Sequence, residues 1–168
     1  LVVRENLEFL SERKFMSEDT LFMVDYMKDA ARAVGIPGAF YCYRRNDESF
    51  SKSYKSDRLG KVLIFLAELE NHIKDTLSKE DYRLYLDRLT QGYARILCSQ
   101  EIIYAREKKL KYRDLRARLK QICTNETMES VLRSYPWYQL PKKQAAFAFA
   151  MKHRLYYIQK LMVLLRAR

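Results

Sequence analysis

The sequence predicts a mainly α-helical fold, a helical bundle with one short aromatic strand near its start. Helix-breaking residues are scarce, because the 168 residues include only four Gly and three Pro, and few breakers favour long helices. Beyond residue 57, apolar side chains recur at steps of three and four residues, which places them on one face of a helix. Hydrophobic residues make up 48% of the chain, enough to bury a continuous core.

The first predicted helix begins after Ser17. Ser17 is expected to cap this helix, and Glu18 and Asp19 then occupy the first turn, where the helix dipole favours negative charge. Helix stabilisation by itself would account for this acidic pair. The apolar stripe of the helix is formed by Leu21, Val24, Met27, Ala31 and Val34.

The segment after this helix changes character twice. Residues 35–38 contain two glycines and a proline and are expected to end the helix. Closely spaced aromatic residues then predict a short strand from Ala39 to Arg44. Residues 45–56 are polar and serine-rich and lack a helical period, so a loop is predicted there. The chain thus divides into residues 1–56 and a carboxy-terminal helical domain, residues 57–168.

The sequence of residues 57–168 predicts a succession of helices. The first runs from Leu59 to Leu77, and Ser78 is expected to cap the next, whose apolar face reaches Ile103. A charged stretch at residues 108–113 then precedes two short helices.

The chain is predicted to close with one long helix after the turn bracketed by Pro136 and Pro141. One side of this helix carries Phe147, Met151, Leu155, Ile158, Met162 and Leu165. It is apolar over much of its circumference, which fits either burial in the bundle or contact with an anionic membrane surface. Charged side chains such as Lys152 and Lys160 interrupt its apolar residues, so no membrane-spanning helix is predicted.

The charge of the chain favours anionic partners. Thirty-two Lys and Arg against 21 Asp and Glu give a net charge of +11, enough for the summed field to matter at an anionic surface or ligand. The basic residues are dispersed among acidic ones, as on a solvated helical face. No zinc-finger, RNP or helix-turn-helix signature is visible, so a nucleic-acid partner is not expected.

The three cysteines, Cys42, Cys98 and Cys123, are widely separated and form no Cys-x-x-Cys motif. This pattern disfavours a disulfide framework or a zinc site and favours the reducing cytoplasm. The two histidines, His72 and His153, are isolated on predicted helices, apart from Glu68 four residues before the first. Both are expected to be surface or core residues, and no metal site is predicted.

Three segments near the start carry a resemblance to a known family. They are residues 11–19, which end in Glu18-Asp19, residues 25–28 on the following helix, and residues 40–51, which include Tyr41-Cys42-Tyr43-Arg44 and a serine-containing loop. In order and spacing they resemble the carboxy-terminal, acceptor-side portion of bacterial family 2 glycosyltransferases, inverting enzymes of the GT-A type that build cell-surface glycans. The resemblance is confined to residues 1–56.

The sequence also departs from that family. No Asp-x-Asp occurs in it, although these enzymes use that motif to hold Mg²⁺ or Mn²⁺ against the nucleotide diphosphate. The alternation of strands and helices that a nucleotide-binding sheet needs is missing too, and the first residue is Leu1 rather than Met. We therefore expect a carboxy-terminal piece of a larger enzyme, inactive and without a cofactor by itself, while the full enzyme requires a divalent cation.

The resemblance implies a role for each matching residue. Asp19 would be the base that takes a proton from the acceptor hydroxyl, and Glu18 would support it. Arg44 and Arg45 would bind the leaving diphosphate, since guanidinium groups pair well with phosphate oxygens. A surface ion pair with nearby acids explains these arginines equally well. Ser49 lies on a loop that could close over the donor, or is an ordinary loop residue.

The implied substrates are a nucleotide sugar and a polysaccharide or lipid-linked acceptor. The protein would work in the cytoplasm, with possible peripheral contact at the inner face of the membrane. The alternative function is a non-catalytic, basic helical interaction module that binds an anionic membrane or nucleic acid.

Overall fold

The computed structural model describes residues 2–8, 17–42 and 54–166, and these form a helical bundle. The elements in chain order are α1 (Glu18–Lys28), α2 (Arg58–Ile73), α3 (Lys79–Glu107), α4 (Tyr112–Cys123), α5 (Glu126–Ser134), a 3₁₀ helix (Trp137–Gln139), α6 (Lys142–Lys152) and α7 (Tyr156–Arg166). The predicted helical class is confirmed. None of the helices in the described segments is both long enough and apolar enough to cross a membrane.

The long helix α3 is the centre of the bundle. It packs against α2, α4, α5, α6 and α7, and its buried side chains include Ala94, Leu97 and Ile102. Phe65 of α2 and Leu119 of α4 are fully buried in the same core. Burial of one such side chain stabilises the fold by about 1.5–3 kcal/mol, so the bundle is held together chiefly by apolar packing around α3.

The first helix is attached at the edge of this core. Leu21 is the buried residue of α1 and is fully inaccessible to solvent, and Val24 packs beside the core as a partly buried residue. The main packing partner of α1 is α2. Most of the other α1 side chains are exposed or half-buried, so one leucine carries much of the docking of this helix.

The predicted aromatic strand is wrong over the part that the structure describes. Residues 39–42 adopt no strand, and the side chains of Phe40 and Tyr41 are 78% and 83% exposed. A strand needs a neighbouring strand to take up its backbone hydrogen bonds, and the described segments contain no strand. Tyr43 and Arg44 lie outside the described residues.

Three helices end earlier than their apolar patterns predict, among them α2, which stops at Ile73 instead of Leu77. α1 stops at Lys28, before Ala31 and Val34, and Val34 is 85% exposed. The single long final helix is in fact two helices, because α6 ends at Lys152 and α7 begins at Tyr156.

Arg154 makes the break between α6 and α7. Its φ angle is +55°, in the left-handed region. The amide of Leu155 donates to the carbonyl of Ala150 at 2.8 Å, and the amide of Arg154 donates to that of Met151 at 3.0 Å. These two bonds define a Schellman ending. The turn lets Gln159 of α7 fold back and donate to the Ala150 carbonyl at 3.1 Å.

The start of α3 follows the sequence prediction. The Ser78 hydroxyl accepts a hydrogen bond from the Asp81 amide at 3.1 Å, so its predicted capping role is confirmed. A capping serine typically stabilises a helix by about 1 kcal/mol relative to alanine.

Candidate functional site

Ser17 begins α1 in an unexpected way. Its backbone is left-handed, with φ 64° and ψ 47°, and its side chain makes no capping hydrogen bond, so the predicted capping role is wrong. The Oγ atom instead lies 2.7 Å from the phenolic oxygen of Tyr93 on α3. A side-chain hydrogen bond therefore ties the first residue before α1 to the central helix.

Glu18 and Asp19 occupy the first turn of α1, as the sequence predicts. Glu18 is half-buried, whereas Asp19 is exposed. The amide of Thr20 donates to Oδ1 of Asp19 at 2.9 Å. The carboxylate is thereby oriented by the backbone next to it while it remains accessible to a ligand.

Asp19 lies at a shallow hollow with a volume of about 310 Å³. The other residues that line it are Thr20, Met23, Val24 and Met27 of α1 and Tyr85 of α3. About half of the surface of Met23 and of Met27 is exposed. The hollow therefore combines one carboxylate and a hydroxyl with apolar and aromatic surface, and its volume falls at the lower end of the range for small-ligand sites.

Tyr93 lies close behind this hollow. Burial raises the pKa of its phenol, the bond to Ser17 opposes that rise, and the negative charge of Asp19 adds to it. Tyr93 thus remains a neutral hydroxyl at neutral pH, able to hold Ser17 in place beside the acidic pair. Tyr85 and Tyr93 lie on α3, far along the chain from the acidic pair, and no local sequence pattern assigns them to the site.

A second polar cluster joins α1 to α2. Nδ1 of His72 lies 2.8 Å from the carboxylate of Asp25, and its Nε2 lies 3.4 Å from Oε1 of Glu68. Lys28 also donates to Asp25, at 3.0 Å. Among the described residues, no group of three or more His, Cys, Asp or Glu side chains could hold a metal ion, and this cluster acts as a link between two helices.

A third cluster forms where the described chain resumes at Tyr54. Its phenol donates to Oε1 of Glu101 at 2.9 Å, and Nη1 of Arg118 donates to the phenolic oxygen at 2.7 Å. The ring also stacks on Tyr104, with 3.6 Å between ring centroids. These contacts fix Tyr54 against α3 and α4 beside a polar cleft of about 480 Å³.

The predicted phosphate-binding residues precede Tyr54. Arg44, Arg45 and Ser49 lie outside the described residues, so their positions relative to Asp19 are not given by the structure. Glu18 and Asp19 are adjacent at one helix start, as their sequence positions require.

Comparisons of the chain with protein-family models, with curated proteins and with solved structures found no match. The chemistry of the hollow at Asp19 is therefore inferred from its own side chains and from the sequence resemblance of residues 1–56.

Proposed function

We propose that this chain is the carboxy-terminal, acceptor-side portion of an inverting glycosyltransferase, which moves a sugar from a nucleotide-sugar donor to a polysaccharide or lipid-linked acceptor. The observation that carries the proposal is the exposed Asp19 carboxylate, oriented at a helix start and set beside a hollow of ligand size. The resemblance of residues 1–56 to the acceptor half of such enzymes supports the same assignment.

In the proposed reaction, Asp19 accepts the proton of an acceptor hydroxyl while that oxygen attacks the anomeric carbon of the donor sugar. A new bond forms between the acceptor oxygen and this carbon. The bond to the nucleotide diphosphate breaks on the opposite face, and the diphosphate leaves with the bonding electrons. Glu18 orients the acceptor or the base, and Arg44, Arg45 and Ser49 bind the departing diphosphate.

The surroundings of Asp19 suit a residue that must hold one position. Leu21, two residues after Asp19 in the same helix, is buried. Ser17, two residues before Asp19, is hydrogen-bonded through its side chain to Tyr93. A base works best when its side chain starts from a fixed point next to the substrate. The Mg²⁺ or Mn²⁺ that neutralises the diphosphate in such enzymes is assigned by this proposal to the donor-binding half.

The test replaces Asp19 in the enzyme that carries both the donor and acceptor halves. Asp19→Asn keeps the shape of the side chain but removes the base, so release of nucleoside diphosphate should fall by about 10²-fold or more. Asp29→Asn is the matched control, because Asp29 is exposed and caps the other end of α1. A variant Asp19→Asn that turns over as fast as Asp29→Asn contradicts the assignment.

The second candidate is a basic helical interaction module without chemistry. It is favoured by the net charge of +11 and by a groove between α3, α6 and α7 whose described lining contains three basic residues and no carboxylate. A larger protein that contains this chain but neither binds nor consumes any nucleotide sugar would support this candidate over the enzyme.

A further inference from the structure

The groove between α3, α6 and α7 has a volume of about 570 Å³. Its apolar lining comes from Ile103 of α3, Phe147 of α6, and Met162, Val163 and Leu165 of α7. This volume lies within the range of ligand-binding sites, which are lined mainly by hydrophobic and aromatic side chains. The groove is distinct from the hollow at Asp19, with which it shares no lining residue.

The polar part of the groove is cationic. Arg95, Lys143 and Arg166 line it, and none of the described lining residues is acidic. The cleft at Tyr54 and the hollow at Asp19 each include at least one carboxylate, and so does a further cleft that is lined by residues of α2, α3 and α5. Within the described part of the chain, Nε of Arg95 is buried without a hydrogen-bond partner. The groove therefore presents positive charge that nearby carboxylates do not neutralise.

An exposed apolar stripe on α7 adjoins the groove. It consists of Tyr157, Ile158, Leu161 and Leu165, which are 57%, 44%, 42% and 66% exposed. Their spacing places them on one side of the helix, while Tyr156 and Gln159 turn into the bundle. Leu165 belongs to both the stripe and the groove lining, so the two surfaces are continuous. We call the stripe and the groove together the α7 face.

We propose that the α7 face docks on an anionic membrane leaflet. One acyl chain of an anionic phospholipid occupies the apolar groove, its phosphate contacts Arg95, Lys143 and Arg166, and the α7 stripe lies at the boundary of headgroups and acyl chains. This inference is independent of the sugar-transfer proposal, because it uses none of the residues around Asp19.

The positive charge of the α7 face favours an anionic lipid as its ligand. Basic residues beside an apolar helical stripe are the pattern of interfacial helices that bind anionic lipid. Each basic residue close to such a surface strengthens binding about fivefold. A second copy of the chain, docked through the same face about a two-fold axis, would bring two sets of these cations together and would be repelled.

Vesicle sedimentation of the full 168-residue chain at low ionic strength tests the role of the charges. The vesicles contain phosphatidylglycerol mixed with phosphatidylcholine, and pure phosphatidylcholine is the lipid control. Lys143→Gln combined with Arg166→Gln removes two exposed groove charges. Lys74→Gln combined with Lys79→Gln removes the same charge at the turn between α2 and α3, where both lysines are exposed.

The groove pair should lose roughly fivefold in affinity for each charge removed, and the distant pair should lose much less. Thermal unfolding by circular dichroism checks that both double variants keep the fold of the wild type. Equal losses from the two pairs, or equal binding to neutral vesicles, would overturn the proposal, because either result means that the groove charges do not recognise the lipid.

Fluorescence quenching by phospholipids with brominated acyl chains tests insertion of the stripe. Leu165→Trp places a reporter on the α7 face, and the single native tryptophan, Trp137, serves as the internal reference, because it packs against Phe149 with 5.1 Å between ring centroids. We expect strong quenching in the Leu165→Trp variant and little in the wild type. Absence of the added quenching overturns the proposal, as does a lipid-free dimer that Leu161→Ser dissociates.

Discussion

Asp25 shows how single contacts set the electrostatics at the junction of α1 and α2. Burial by itself pushes the pKa of Asp25 up, but hydrogen bonds from His72 and Lys28, together with their charges, outweigh burial and leave that pKa below its ordinary value. The carboxylate is therefore more strongly stabilised in its charged form when the chain is folded. Its helix-joining contacts should weaken when it becomes protonated.

This lowered pKa predicts an acid-dependent loss of stability. A carboxyl group whose pKa is lower in the folded than in the unfolded state stabilises the fold at pH values above its unfolded pKa. This stabilisation is lost as the pH falls through the folded pKa. Near neutral pH, the free energy of unfolding of the wild type should exceed that of the Asp25→Asn variant. Since the Asp25 side chain is 28% exposed, the difference should be at most about 1 kcal/mol.

Urea unfolding at a series of pH values measures this difference. The wild type and Asp25→Asn should converge in stability as pH falls below the ordinary aspartate pKa of 3.8. Asp29→Asn removes the same charge at an exposed position and controls for the overall change in net charge. A difference between the wild type and Asp25→Asn that persists unchanged in strong acid would show that ionisation of Asp25 is not its source.

Part of the candidate site could be predicted from local sequence and part could not. Glu18 and Asp19 are adjacent in the chain, so their place in the first turn of a helix follows from local pattern. Ser17 and Tyr93 are 76 positions apart, and their bond depends on how α1 packs on the bundle. Glu68 lies one helical turn before His72, a spacing visible in the sequence, whereas the contact with Asp25 forms only through tertiary packing.

At the scale of elements, two helices end on long charged residues where glycine is the usual choice. Lys109, after α3, has a φ angle of +52°, and Arg154, after α6, has one of +55°. At the end of α3, the amide of Leu110 donates to the carbonyl of Ala105 at 2.9 Å, the long bond of a Schellman ending. A left-handed backbone costs a residue with a Cβ atom about 1–2 kcal/mol, so each of these turns carries strain.

Lys109→Gly should relieve the strain after α3. Glycine adopts the left-handed region freely, and Lys109 makes no hydrogen bond or ion pair through its side chain within the described residues. The free energy of unfolding should therefore rise by about 1 kcal/mol, measured by urea unfolding. Lys108→Gly is the matched control, because Lys108 has a φ angle of −87°. The control should lower stability by about 0.5–1 kcal/mol. A loss of stability in both variants would contradict the strain argument.

The elements differ in how well the sequence predicts them. The helical class and the Ser78 cap follow from apolar periodicity and from a residue type that suits its position. The break at Arg154 carries no glycine or proline signal, so the pattern of α6 and α7 reads as one helix. The aromatic residues Phe40 and Tyr41 suit a strand. Strand formation also depends on a partner strand, which residue types within the segment do not reveal.

At the scale of the whole molecule, the bundle has a densely packed centre and a lightly attached first helix. Within the described residues, α3 packs extensively against α2, α4, α5, α6 and α7, whereas α1 packs mainly against α2 and buries Leu21. Parts of a protein that bury few apolar side chains open with less free energy than the core. The helix that carries Asp19 should therefore be able to open while the rest of the bundle stays folded.

Leu21→Ala tests this separation. Removal of a fully buried leucine side chain costs about 2–5 kcal/mol, and at this position the loss should fall on the docking of α1. Hydrogen exchange followed by mass spectrometry should show faster exchange in α1 and unchanged protection in α3 and α4. Leu119→Ala is the matched control, because Leu119 is equally buried but lies in α4 beside α3, and its loss should speed exchange throughout the bundle. If Leu21→Ala reduced the protection of α3 as much as Leu119→Ala does, α1 would be part of the cooperative core, and the position of Asp19 would depend on the stability of the whole bundle.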